Sequence, residues 1–98
     1  MRRLLFALSA SVALSADAGY VPPKGFVPDA ATATRIAEAV LMPVYGAGQI
    51  AKEEPFTARL EGGAWIVKGT LRAGFVGGVA VVKIDRRDGR ILYMMHGK

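Results

Sequence analysis

The chain has 98 residues, no cysteine, one histidine and a formal net charge of +5. That length makes one domain, and the missing cysteines exclude disulfides, thiolate metal sites and a lipid-modified cysteine anchor. Beyond residue 18, eleven Lys and Arg stand against seven Asp and Glu, net +4. The two signs are mixed along the chain, which describes a solvated surface and not the one-sided basic stripe of a nucleic-acid binder.

Met1–Ala18 reads as a secretory signal. Arg2 and Arg3 form the positive start, and an apolar stretch from Leu4 to Leu14 follows. Ala16-Asp17-Ala18 then fits a small-residue cleavage site, with the cut before Gly19. The apolar run is shorter than the ~20 residues of a membrane span. The expectation is an exported protein, periplasmic or secreted, with no stable membrane insertion after cleavage. Gly19–Pro28, with Pro22, Pro23 and Pro28, predicts an extended and mobile linker.

Asp29 is a good N-cap, and Ala30–Met42 predicts a helix. Ala33, Ile36, Ala37, Val40, Leu41 and Val44 recur on one face at the 3.6-residue period. Pro43 kinks or ends the helix, because its ring meets the carbonyl of Ala39 and it has no N–H. Tyr45-Gly46-Ala47-Gly48 closes the segment.

After Gly48 the period becomes two. Phe56–Glu61 predicts a strand, Gly62-Gly63 a hairpin turn, and Ala64–Leu71 a second strand with Trp65, Val67 and Leu71 on one face. Arg72–Gly78 is a glycine-rich connection. Val79–Asp85 and Arg90–His96 predict a final hairpin around the turn Arg86-Arg87-Asp88-Gly89. Its pattern sets Ala80, Val82 and Ile84 beside Leu92, Met94 and His96. The other face then carries Val79, Val81 and Lys83 beside Ile91, Tyr93 and Met95. The fold class is α+β: one N-terminal helix packed on a four-stranded antiparallel sheet, over residues 29–98. One helix covers one sheet face, so the other is left for the sheet's own curl or for a partner.

The residues suited to chemistry are few. His96 has no companion at metal-ligand spacing and reads as a strand-end residue. Asp85 and Asp88 flank a turn that Asp side chains commonly stabilise. Gly74-Phe75-Val76-Gly77-Gly78 lacks the Lys-Ser/Thr ending of a phosphate loop. The expectation is therefore no catalytic residue, no metal and no cofactor: not an enzyme. Candidate partner contacts are Arg72 and Phe75 in the glycine-rich connection, an aromatic and an Arg of the kind favoured at interfaces. Phe75 folding back on the sheet is the alternative. Ile91, Tyr93 and Met95 on the open face are further candidates. Arg86, Arg87 and Arg90 form a basic spot for an acidic partner, or else a solvated turn that deters edge pairing.

One set of motifs, in order, carries a family resemblance. It runs from Ile36-Ala37-Glu38-Ala39 to Pro43-Val44-Tyr45-Gly46 and Pro55-Phe56-Thr57-Ala58. It continues through Trp65-Ile66-Val67-Lys68-Gly69-Thr70-Leu71, Gly77-Gly78-Val79-Ala80 and Asp88-Gly89-Arg90-Ile91-Leu92 to His96-Gly97-Lys98. From Asp29 onward the chain resembles the NTF2-fold immunity proteins of bacterial polymorphic toxin systems, also described as the YbbC/YhhH family. The resemblance implies a cystatin-like or NTF2-like domain that binds and neutralises a cognate protein toxin or hydrolase without catalysis. The chain is short for a full NTF2 fold, whose further helices build a deep conical pocket. Two other readings stand beside it: a small NTF2-like ligand-binding or enzyme domain, and a PepSY- or cystatin-like envelope peptidase inhibitor, since the Asp85–Arg90 turn resembles PepSY endings. The open face leaves room for a homodimer.

Overall fold

The computed structural model describes residues 19–98. The signal-peptide reading falls on residues 1–18 and lies outside the described residues. The elements are helix α1 (Ala30–Tyr45), helix α2 (Ala47–Lys52) and strands β1 (Thr57–Glu61), β2 (Ala64–Lys68), β3 (Ala80–Asp85) and β4 (Ile91–His96). The strands form one antiparallel sheet in chain order, β1-β2-β3-β4. The α+β class and the helix-on-sheet architecture are those the sequence predicts.

α1 starts where its cap dictates. The Asp29 carboxylate accepts the Thr32 amide at 2.8 Å, satisfying one of the orphan N–H groups of the first turn. Ala33, Ala37 and Leu41 are fully buried, a row spaced by four residues that lies on one helix face. They pack with Val67, Ala80, Val82 and Ile84 of the sheet. Small alanines on this row let the helix lie close to the strands. Val44, expected on the buried face, is exposed.

Three expectations are corrected here. First, α1 passes Pro43 and ends at Tyr45, where the Gly46 amide still reaches the Met42 carbonyl at 2.8 Å. Pro43 removes its own bond to the Ala39 carbonyl, and the helix closes two residues beyond it. Second, Tyr45-Gly46-Ala47-Gly48 does not close the helical region. It opens α2, whose Ile50 is fully buried. Third, β2 stops at Lys68. The Gly69 amide still bonds to Ala80 across the sheet, but the Thr70 amide turns to the Glu53 carbonyl at 2.7 Å. Leu71 consequently leaves the sheet and is exposed.

The end of the segment predicted as a mobile linker is also docked. The Phe26 and Val27 amides bond to the carbonyls of Arg87 and Arg86 at 2.9 and 3.0 Å. Val27 is fully buried, and its carbonyl accepts the Trp65 indole N–H at 2.8 Å. Gly25 lies against the Arg86–Arg87 backbone at φ 87°, where a side chain has no room. A buried indole N–H needs an acceptor, and this strap of chain supplies it.

The hairpins follow their turn chemistry. Gly62 and Gly63 both have positive φ, 56° and 80°, as a two-residue type I′ turn requires. In the last hairpin Ala80, Val81, Val82 and Lys83 pair with His96, Met95, Met94 and Tyr93, the predicted register. A bulge between Lys83 and Ile84 then sets Ile84 opposite Ile91 instead of Leu92. Ile91 therefore leaves the row that holds Tyr93 and Met95.

Candidate functional site

The candidate contacts divide between the two ends of the β3–β4 hairpin. Arg72 and Phe75 sit in the connection of residues 69–79, at the end where β3 begins and β4 finishes. The Phe75 amide bonds to the Arg72 carbonyl at 3.1 Å, with Gly74 at φ 85°, the left-handed position of a type II turn. This turn presents Phe75 outward, 59% exposed, instead of folding it onto the sheet. Between the connection and α2 lies a groove of about 200 Å³, lined among others by Gln49, Lys52, Glu53, Arg72 and Phe75.

Arg86, Arg87 and Arg90 stand at the opposite end, on the β3–β4 turn. They are not one free basic spot. Arg86 is half-buried, and its backbone is engaged by Val27 and by Gly63. Arg90 lies 3.8 Å from Asp85 and 3.9 Å from Asp88, and the Arg87 amide bonds to Asp85. Arg87 and Arg90 are exposed. The turn is thus a mixed-charge surface braced from below.

β4 joins the two ends. Ile91, Tyr93 and Met95 are all exposed, Tyr93 at 52%. Tyr93 and Met95 share the uncovered face with Lys83 and Val81, their register partners, and through Lys83 and Val81 with Ile66 and Lys68. The uncovered face is apolar at its centre and carries lysines, so it is less uniformly apolar than the sequence pattern implies.

The structure brings together one group that the sequence pattern misses. Glu53, at the end of α2, is a buried carboxylate with 4% exposure. One oxygen accepts the Ala80 amide at 2.7 Å. The other accepts the Gln49 amide side chain at 2.8 Å and His96 Nε2 at 2.6 Å. His96 Nδ1 lies 2.7 Å from the Gly97 carbonyl, and the Tyr45 ring tilts against the imidazole with centroids 5.2 Å apart. A carboxylate and a carbonyl are both acceptors, so the two contacts favour the doubly protonated ring.

The electrostatics agree. Burial alone would raise the Glu53 carboxyl, but the hydrogen bonds from Gln49, Ala80 and His96, with the His96 charge, outweigh it and hold it below its ordinary value. His96 is raised, first by its hydrogen bond to Glu53, then by the Gly97 carbonyl and the Glu53 charge, against the opposing effect of burial. Forty-three residues separate the two partners, so no spacing rule links them. The one local signal is Gln49 and Glu53, four apart on a helix face. Among the described residues no cluster of three or more His, Cys, Asp or Glu side chains is placed to hold a metal ion. No helix among them is long and apolar enough to cross a membrane.

Comparison with known proteins gives the same direction as the motifs. Residues 32–98 match the sequence model of a family described as NTF2 fold immunity protein. The matched region takes in most of α1, both hairpins, the 69–79 connection, Glu53 and His96. The chain is also similar to YhhH of Escherichia coli (strain K12), itself described as an uncharacterized protein. The two are 33% identical over 76 residues, which cover 76% of this chain and 60% of that relative. No solved structure matches.

Proposed function

Since the chain belongs to the NTF2 fold immunity protein family, we propose that it binds a cognate protein toxin or envelope hydrolase and neutralises it by covering it, with no catalytic step of its own. The observation that carries this reading is the family match, which spans the helix, the sheet and the exposed connection together. Two surfaces suit the role. The Phe75 tip, with Arg72 beside it, offers the aromatic and Arg anchors common at interface centres. The uncovered face offers Tyr93 and Met95 with Lys68 and Lys83 around them, a surface for a partner with an apolar, acidic patch. Arg87 and Arg90 are exposed at the far turn, Arg90 beside Asp85 and Asp88, with Ile91 next to them.

α1 covers one face of the sheet, where Ala33, Ala37 and Leu41 pack against Val67, Ala80, Val82 and Ile84. The proposed site of action is the cell envelope or beyond, from the reading of residues 1–18 as an export signal. N-terminal sequencing of the protein from the periplasmic fraction tests that part, and a start at Gly19 is the expected result.

The functional test is co-expression with the products of adjacent genes. One of them should be toxic alone and tolerated when this protein is present, and the two should co-purify. If no adjacent product is toxic, or if toxicity is unchanged by this protein, the immunity reading fails.

A further inference from the structure

The 69–79 connection is hung from two stems, and His96 touches the support of each. At the first stem the Thr70 amide bonds to the Glu53 carbonyl, and the Thr70 hydroxyl donates to the Pro55 carbonyl at 2.6 Å. At the second stem the Ala80 amide is held by the Glu53 carboxylate. Just before it, Gly78 packs directly on Gly97, with no room for a side chain between them, and the Gly97 amide bonds to Val79 at 3.1 Å. Glu53 and Gly97 are thus the two supports. His96 Nε2 lies within hydrogen-bond distance of the first and Nδ1 of the second.

We infer that His96 is a proton-operated latch for the connection that carries Arg72 and Phe75. With both ring N–H groups present, both stems are pinned. Loss of one proton leaves a ring lone pair facing an acceptor. The proton on Nε2 stays, because a carboxylate is the stronger acceptor. The Gly97 carbonyl then loses its donor, and the Gly78–Gly97 contact loosens with it. The connection gains motion while the sheet stays formed, since the core under α1 does not depend on this contact.

The groups around the imidazole favour its protonated form. Glu53 and Gln49 face it from α2, the Tyr45 ring from α1, and the Gly97 carbonyl from its own strand. β3 presents the small Ala80 opposite it. Lys52 and Arg72 line the groove beside Glu53, and Lys98 lies two residues along. Glu53 is the anionic neighbour, and it holds the proton on. An unperturbed histidine titrates near ~6.5, and His96 is shifted upward by the contacts already described. This inference requires no partner, so it stands or falls separately from the immunity reading.

The test uses the chain alone. NMR follows the His96 ring nitrogens, the order parameters of residues 72–76, and the exchange protection of the Ala80 and Gly97 amides, from pH 5 to 9. At low pH both ring nitrogens should be protonated. As the ring titrates, Gly97 protection should fall about tenfold, the loss expected of one hydrogen bond. The 72–76 order parameters should fall at the same midpoint. His96→Gln should abolish the pH step and leave the connection mobile throughout. A ring already singly protonated at pH 5, order parameters flat through its titration, or a step that persists in His96→Gln would overturn the latch. If His96→Gln does not fold, the wild-type titration alone decides.

Discussion

The two ends of the β3–β4 hairpin are held by opposite kinds of chemistry. At the turn end the fastening is apolar and uncharged: Val27 is buried, the Trp65 indole bonds to its carbonyl, and Gly25 lies flat on Arg86. At the open end it is ionic: Glu53, Gln49 and His96 bind α2, β3 and β4 into one network. The first fastening is indifferent to pH. The second is titratable, and it supports the connection proposed to meet the partner. Stability and responsiveness are thereby placed at different ends of one hairpin.

The largest expected effect is at the apolar end. Trp65→Ala should destabilise the domain by ~3–5 kcal/mol, from lost packing and the cavity left behind. With about 80 residues and no disulfide, the fold has little reserve, so chemical denaturation should find it largely unfolded at every pH. An unchanged midpoint would show that the strap and Trp65 do not hold the core.

Next is the ionic end. Glu53→Gln removes the negative partner from a buried charged pair, a change that costs about 3–5 kcal/mol where both groups are charged. The loss should be greatest near pH 5.5 and shrink at higher pH, unlike that of Trp65→Ala. Equal losses at pH 5.5 and pH 9 would erase the contrast between the two ends. Gly25→Ala should have a smaller effect, about 1–3 kcal/mol, because its φ of 87° strains a side chain that also meets the Arg86 backbone. A thermal melt equal to wild type would show that the strap shifts freely. The smallest effect is expected at the tip. Phe75→Ala should change stability by less than about 0.5 kcal/mol and weaken partner binding. A large drop in melting temperature would make Phe75 structural.

The sequence was most legible where local rules decide. Asp29 marks the start of α1, Gly62-Gly63 forces a tight hairpin, and the alternation of residues 80–83 and 93–96 fixes their register. It was least legible where a distant partner decides. The proline-rich stretch of residues 19–28 looks like a linker until Trp65 is seen to need the Val27 carbonyl. Gly46 and Gly48 hide a six-residue helix whose only strong apolar signal is Ile50. The bulge that moves Ile91 opposite Ile84 leaves no mark in the alternation. His96 looks solitary because Glu53 is far away in the chain, and no catalytic or ligand spacing joins the two. The candidate contacts Arg72 and Phe75 could be read from their glycine neighbours, but the ionic support beneath them could not.

The contrast between the two ends is tested most directly by the melting temperature of the wild type and of Glu53→Gln across pH 3 to 9. In the wild type Glu53 is lowered and His96 is raised. The Glu53 contribution is present above its unfolded value of about 4.3 and fades as pH falls through the folded one. The His96 contribution is complete below about 6.5 and fades as pH rises through its folded value. The predicted result is a wild-type maximum between about pH 4.3 and 6.5, falling on both sides, with the high-pH decline clearly reduced in Glu53→Gln, where only the Gly97 carbonyl still holds the proton. Parallel curves for the two proteins over the whole range would contradict an ionic clasp at the open end of the hairpin.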